Sequence, residues 1–141
     1  MMGAMRRLLA LLALPLLLIA ACSDPGTALS RAESTGVLNV GVVDNPPRTV
    51  PGEGGEVTGT DAELITAYAE SIDAHPSWQV GELDALAAAV DRGEVDVIIG
   101  ADGPAEGVTA IGEGTGGTVA LVGAQEGPLE DSINDWLAER S

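Results

Sequence analysis

Asp44, Asn45 and Arg48 follow one apolar run, and Asp102 follows another. An amide and a guanidinium set between two acids can hold a small polar solute through charge-assisted hydrogen bonds. Pro47, the second of a proline pair, shapes the turn that carries the first three and is counted with them. A second reading stays open: Asp44 and Asn45 satisfy the backbone of their own turn, and Arg48 and Asp102 are solvated. Other chemistry finds less support. His75 stands alone beside Pro76, with no cysteine or second histidine to complete a metal shell, and is expected in a loop. Gly112, Gly114 and Gly117 spell G-x-G-x-x-G, but a dinucleotide site needs a strand before and a helix after, whereas a strand is expected to follow and Glu113 would face the phosphates. Asp96 is expected to cap backbone or pair locally. Tyr68, Trp78 and Trp136 lie on apolar faces and read as core. No nucleophile with a positioned base is present, so the expectation is a binding protein, not an enzyme, with no cofactor and no metal.

The elements that must position these residues centre on residues 83–100, LDALAAAVDRGEVDVIIG. Leu83, Leu86, Ala87 and Val90 recur at helical spacing, and Gly93 sits where a left-handed residue ends a helix. Val95, Val97, Ile98 and Ile99 then form a run too short and too β-branched for a second helix, which predicts a buried strand. A buried strand entered from an amphipathic helix is the second half of a βαβ unit, so the sheet should be mainly parallel and flanked by helices. Ligands of such sheets bind outside the carboxyl ends of the strands, which places residues 100–104 on a site rim together with 44–48.

The first strand is expected over 37–43, VLNVGVV, followed by a loop or small hairpin to Thr58. The next helix is capped by Thr60 or Asp61 and carries Leu64, Ile65, Tyr68 and Ile72. Residues 77–81 read as a short strand with Trp78 and Val80 on one face, and 118–122 as a further strand. Residues 129–140 read as an amphipathic helix that starts after Pro128. Right-handed crossovers then give the strand order 2-1-3, with the C-terminal strand beyond or beside the third. Residues 100–117, rich in glycine, have no readable pattern.

The N-terminus carries an address. Arg6 and Arg7 precede an apolar run from Leu8 to Ala21, interrupted only by Pro15, which suits a signal peptide and is too short to span a bilayer. Small residues end the run at Cys22, the only cysteine, which resembles the lipobox of bacterial lipoproteins and makes Cys22 the expected lipidation site. The domain reading is signal peptide 1–21, flexible tether 22–36 and one lobe 37–141. The product would be exported and lipid-anchored at the cell membrane, facing away from the cytoplasm. After cleavage, 22 acids face four arginines and no lysine, a net charge of −18. Such a surface repels phosphate backbones and anionic headgroups, so nucleic acid is excluded as a partner and attachment rests on the lipid.

Four stretches, taken in order, resemble the bacterial extracellular solute-binding proteins of family 3, receptors of amino-acid ABC importers. They are VLNVGVVDNPPR at 37–48, GTDAELITAYAE at 59–70, LAAAVDRGEVDVIIG at 86–100 and LVGAQEGPLEDSINDWLAE at 121–139. The resemblance implies a periplasmic-binding-protein-like α/β fold, a small polar solute as ligand and an ABC permease as partner. Family members close two lobes on the ligand and exceed 200 residues. The part missing here falls between Gly100 and Thr118, so the resemblance is to the first lobe with its returning C-terminal segment, and a second lobe would have to come from another chain. Arg48 stands where the family stacks an aromatic on the ligand. The stretch ADGPAEGVTA lacks the family's carboxylate-clamping arginine, and the second lobe's amino-group acid has no counterpart.

Two functions follow from this reading. One is a membrane-tethered substrate-binding lipoprotein of an ABC-type, amino-acid-like transporter, truncated to one lobe. The alternative is an accessory lipoprotein that docks a protein partner without capturing solute. A crevice closed on one side leaves a ligand's charges hydrated, so free amino acids are expected to bind weakly.

Overall fold

The computed structural model describes residues 27–103, 105–112 and 120–140. Its elements, in chain order, are α1 (Ala28–Thr35), β1 (Val37–Val42), β2 (Val50–Pro51), β3 (Val57–Thr58), α2 (Thr60–Ser71), β4 (His75–Val80), α3 (Leu83–Asp91), β5 (Val97–Ile99), β6 (Val108–Ile111), β7 (Ala120–Gly123) and α4 (Gly127–Arg140). Five strands form one sheet in the order β4-β1-β5-β7-β6, and β2 and β3 form a separate hairpin. β4, β1 and β5 run parallel, with Val40 opposite both Trp78 and Val97. β7 runs antiparallel to β5 and to β6. The expected 2-1-3 order is therefore present, with the C-terminal strand beside the third. β6 is an edge strand that the glycine-rich stretch concealed.

Alternation along each strand divides the core between two faces. Leu38, Val40, Val42, Val97, Ile99 and Val122 point to one face and pack with residues of α1, α2 and α4. Val95, Ile98 and Leu121 point to the other, where α3 brings Leu86, Ala87 and Ala89. α3 comes close because β1 has Gly41 there: a Cβ would sit 3.1 Å from Leu86 and 3.2 Å from Val95. The helix ends as its sequence predicts. Gly93 has φ of +76°, its N–H donates to Val90 O at 3.0 Å, and Glu94 N–H reaches Ala89 O at 2.9 Å, the paired bonds of a glycine-terminated helix.

α2 and α4 meet through Tyr68, whose hydroxyl donates to Ser132 Oγ at 2.9 Å. Its ring stands edge-on to Trp136 with centroids 5.7 Å apart. Burial pushes the Tyr68 phenol up from its ordinary value, against the lowering effect of the Ser132 bond. Trp136 and Trp78 are half-buried against the same core. Val80, which shares a strand face with Trp78, is 53% exposed at the end of the edge strand β4.

Three expectations need correction. From Thr27 the supposed flexible tether is folded: Thr27 Oγ1 accepts from Ser30 N at 3.1 Å and Gly36 closes the helix with φ of +74°. Ala28 and Ala32 are buried in that helix, and Leu29 packs half-buried against the same core. His75 is not in a loop but opens β4, paired with Val37, and is exposed. Neither Thr60 nor Asp61 caps α2. Gly59 holds that position without a side-chain bond, and loop carbonyls take the first amides as described below. The signal peptide, Cys22, Pro104, Gly114 and Gly117 lie outside the described residues.

Candidate functional site

β1 and β5 end side by side, and the chain after β1 folds back over both. Val43 N–H extends the ladder to Ile99 O at 3.0 Å. Pro46 and Pro47, joined by a cis peptide, have no N–H to offer, so the loop closes through the residues around them. Asn45 N–H donates to Thr49 O at 3.1 Å, Thr49 N–H returns to Asn45 O at 3.0 Å, and Arg48 N–H reaches the same carbonyl at 2.9 Å. Thr49 is fully buried beneath this loop. Its hydroxyl accepts from Asn45 N at 3.0 Å and donates to Val43 O.

Two glycines let the loop seat. At Gly100, φ is +84°, and a Cβ would lie 2.6 Å from Thr49 Oγ1 and closer still to Val43 O. At Gly59, φ is +115°, and a Cβ would lie 2.7 Å from Pro47 O and closer still to Arg48 O. Only glycine allows both the dihedral and the approach. The same approach satisfies the start of α2: Thr60 N–H points to Pro47 O at 3.4 Å and Asp61 N–H to Arg48 O at 3.0 Å. These first amides of the helix, a ready anion site when open, are thereby taken by loop carbonyls.

The side chains converge on the strand ends. Asn45 Nδ2 donates to Gly100 O at 2.9 Å and to Asp102 Oδ1 at 2.8 Å. Arg48 Nη1 donates to Ala101 O at 3.1 Å and lies 3.5 Å from Asp102 Oδ1, while Nη2 lies 2.7 Å from Asp61 Oδ2. Arg48 and Asp61 are largely covered, with 23% and 12% of their side chains exposed, whereas Asp102 is 86% exposed. The structure thus brings together Asn45, Arg48 and Asp102. Asp44 is exposed and enters none of these bonds, and Pro47 contributes its carbonyl while its ring faces solvent. Asp61 is the member that sequence reading missed. Its signal was an acid just inside a glycine-led helix, which reads equally well as a favourable charge at the helix N-terminus.

Charge at this rim is formally −2, with Arg48 against Asp44, Asp61 and Asp102. The other three arginines among the described residues are engaged elsewhere. Arg31 pairs with Asp96 and Arg92 with Glu94, and Arg140 lies 4.5 Å over the Trp136 ring.

Residues 38–103 match the family model of bacterial extracellular solute-binding proteins, family 3. A mutant of the arginine-bound domain 1 from TmArgBP is 26% identical over 79% of this chain and 96% of that one, with a TM-score of 0.67. The arginine-bound form of truncated ArgBP from T. maritima is 25% identical over 59% of this chain and 42% of that one, with a TM-score of 0.53. An ABC uptake transporter substrate-binding protein from Streptococcus pneumoniae, with bound histidine, shares the fold at 22% identity. It covers 62% of this chain and 38% of that one, with a TM-score of 0.53. No curated protein matches. The chain resembles one lobe of the family 3 solute-binding proteins, and matches a separate domain 1 almost end to end.

Proposed function

We propose that this chain is the solute-binding lobe of an ABC-type importer, tethered outside the membrane by lipid on Cys22, and that its solute is a small amino-acid-like cation. The observation that carries this reading is the rim at the carboxyl ends of β1 and β5, where the Asp61 and Asp102 carboxylates gather beside the Asn45 amide under a net negative charge. Solutes of parallel sheets bind at such strand ends. A negative rim favours a positive group and raises its local concentration. The domain 1 relative is an arginine-bound form of a single domain, which supports a cationic amino acid as the solute of one lobe. An exposed ion pair contributes about 1 kcal/mol or less, which supports weak capture by one lobe.

One observation favours the accessory role instead. With Arg48 held by Asp61 and Ala101 and the first α2 amides taken, the described residues of the rim offer no uncommitted positive group to an α-carboxylate. Uptake decides between the two. Cells lacking the protein should take up labelled arginine or a related cation more slowly and recover with the wild-type chain, but not with one carrying Asp102→Ala and Asn45→Ala. Unchanged uptake of every amino acid and amine tested would leave the accessory role as the better account.

A further inference from the structure

The rim already holds a guanidinium, and it belongs to the chain itself. Arg48 leaves the loop beside Pro47 and turns back across the strand ends, where acceptors from two segments meet it: Asp61 on α2, and Ala101 O and Asp102 after β5. Two carboxylates and a carbonyl around one planar cation are the set that a guanidinium-bearing solute would need. The fit is incomplete at a telling place. Asp61 Oδ2 is shielded from solvent, and among the described residues no hydrogen bond reaches it, although Arg48 Nη2 stands 2.7 Å away. The contact is an ion pair without a hydrogen bond. A free cation could align with that oxygen where the tethered one does not.

We infer that Arg48 is a built-in occupant of the cation position, which a solute must displace to bind. This rests on the reading of the rim as a solute site and adds a mechanism to it. A tethered group competes at an effective concentration of order millimolar or higher. An occupant in place for more than nine-tenths of the time weakens apparent affinity about tenfold or more. The low affinity expected of a single lobe would then be set by Arg48 as well as by the missing second lobe.

The test is titration of the purified chain with methylguanidinium and with L-arginine, followed by calorimetry and thermal shift. Arg48→Ala and Arg48→Met should both bind methylguanidinium about tenfold or more tightly than wild type. Arg48→Lys, which refills the position, should stay near wild type, and adding Asp61→Asn to Arg48→Met should abolish the gain. Arg48→Met keeps the apolar stem in case the alanine variant fails to fold. In the wild-type chain, NMR of the Arg48 Nε–H should shift as ligand saturates, a readout that needs no variant. Equal affinity in wild type and variants, no binding by either Arg48 variant, or a bound ligand that leaves the Arg48 signal unmoved would each overturn the inference. Equal affinity would leave the solute reading intact, whereas lost uptake dependence would remove that reading whatever the titrations show.

Discussion

Asp96 is the carboxylate that the fold can least spare, although it lies far from the rim. It is 2% exposed where the chain enters β5, and it accepts from Asn39 N at 2.9 Å and Asn39 Nδ2 at 3.3 Å. Arg31 of α1 completes the cluster at 3.3 Å. The spacing Gly93-Glu94-Val95-Asp96 suggests a local cap, yet every side-chain partner is distant in sequence, because a parallel sheet sets the start of β5 beside β1. The two partners are unequal. Arg31 is 41% exposed, so its ion pair is worth about 1 kcal/mol or less. The Asn39 amide is half-buried beside the fully buried Asp96, and a buried donor left without an acceptor costs about 1–3 kcal/mol. Asp96→Ala should therefore destabilise the protein by more than Arg31→Ala, with a lower urea midpoint for the first and a near wild-type midpoint for the second. Equal losses would mean that the ion pair, not the backbone bond, is what Asp96 supplies.

Helices and strands were legible where burial leaves a repeating pattern, and the turns between them where glycine is required. The runs at 37–43 and 95–99 correspond to central strands whose apolar residues face a core on both sides, and the helical spacing of 83–90 to α3, whose one apolar face packs on the sheet. α1 escaped notice because its buried face is only Ala28 and Ala32. Its ends were signalled all the same, by Thr27 and Gly36. β6 was hidden by its composition, VTAI among glycines, which suits a strand paired on one side only. At the site, Asn45, Arg48 and Asp102 were legible from strand-end position, while Asp61 depended on how α2 is laid against the loop. The glycines separate by what they touch. At Gly93 an added Cβ meets nothing nearer than Arg31 at 3.8 Å, so Gly93→Ala should cost about 1 kcal/mol for its left-handed backbone alone. At Gly100 a Cβ collides with Thr49 and Val43, so Gly100→Ala must also lift the loop that carries Asn45 and Arg48. Chemical unfolding should show the larger loss for Gly100→Ala, and solute titration should show binding retained in Gly93→Ala and lost in Gly100→Ala. Similar behaviour of the two would mean that the loop does not depend on its seat at the end of β5.

At the scale of the whole molecule, the folded body begins earlier than a flexible leader would allow. α1 is bound to the end of the sheet where β1 and β5 start, through Arg31 and Asp96 and through Ala28 N–H, which donates to Glu126 Oε2 at 3.0 Å. The rim lies at the other end of those strands. With a lipid on Cys22, five peptide units separate it from Thr27, a reach of about 18 Å at most. A lobe on so short a lead stays within a thin shell above the bilayer. There its effective concentration toward a membrane partner is of order millimolar, and a receptor of weak affinity could still meet a permease often. The acidic body cannot replace that attachment, since at −18 it is repelled by anionic headgroups. Cys22→Ser should then release the protein into the aqueous phase on detergent partitioning and lower solute uptake even when the chain is expressed at the same level. Retention of the variant in the detergent phase would show that the membrane holds it by something other than the thiol. Full release with undiminished uptake would show that proximity to the membrane is not what lets a single lobe work.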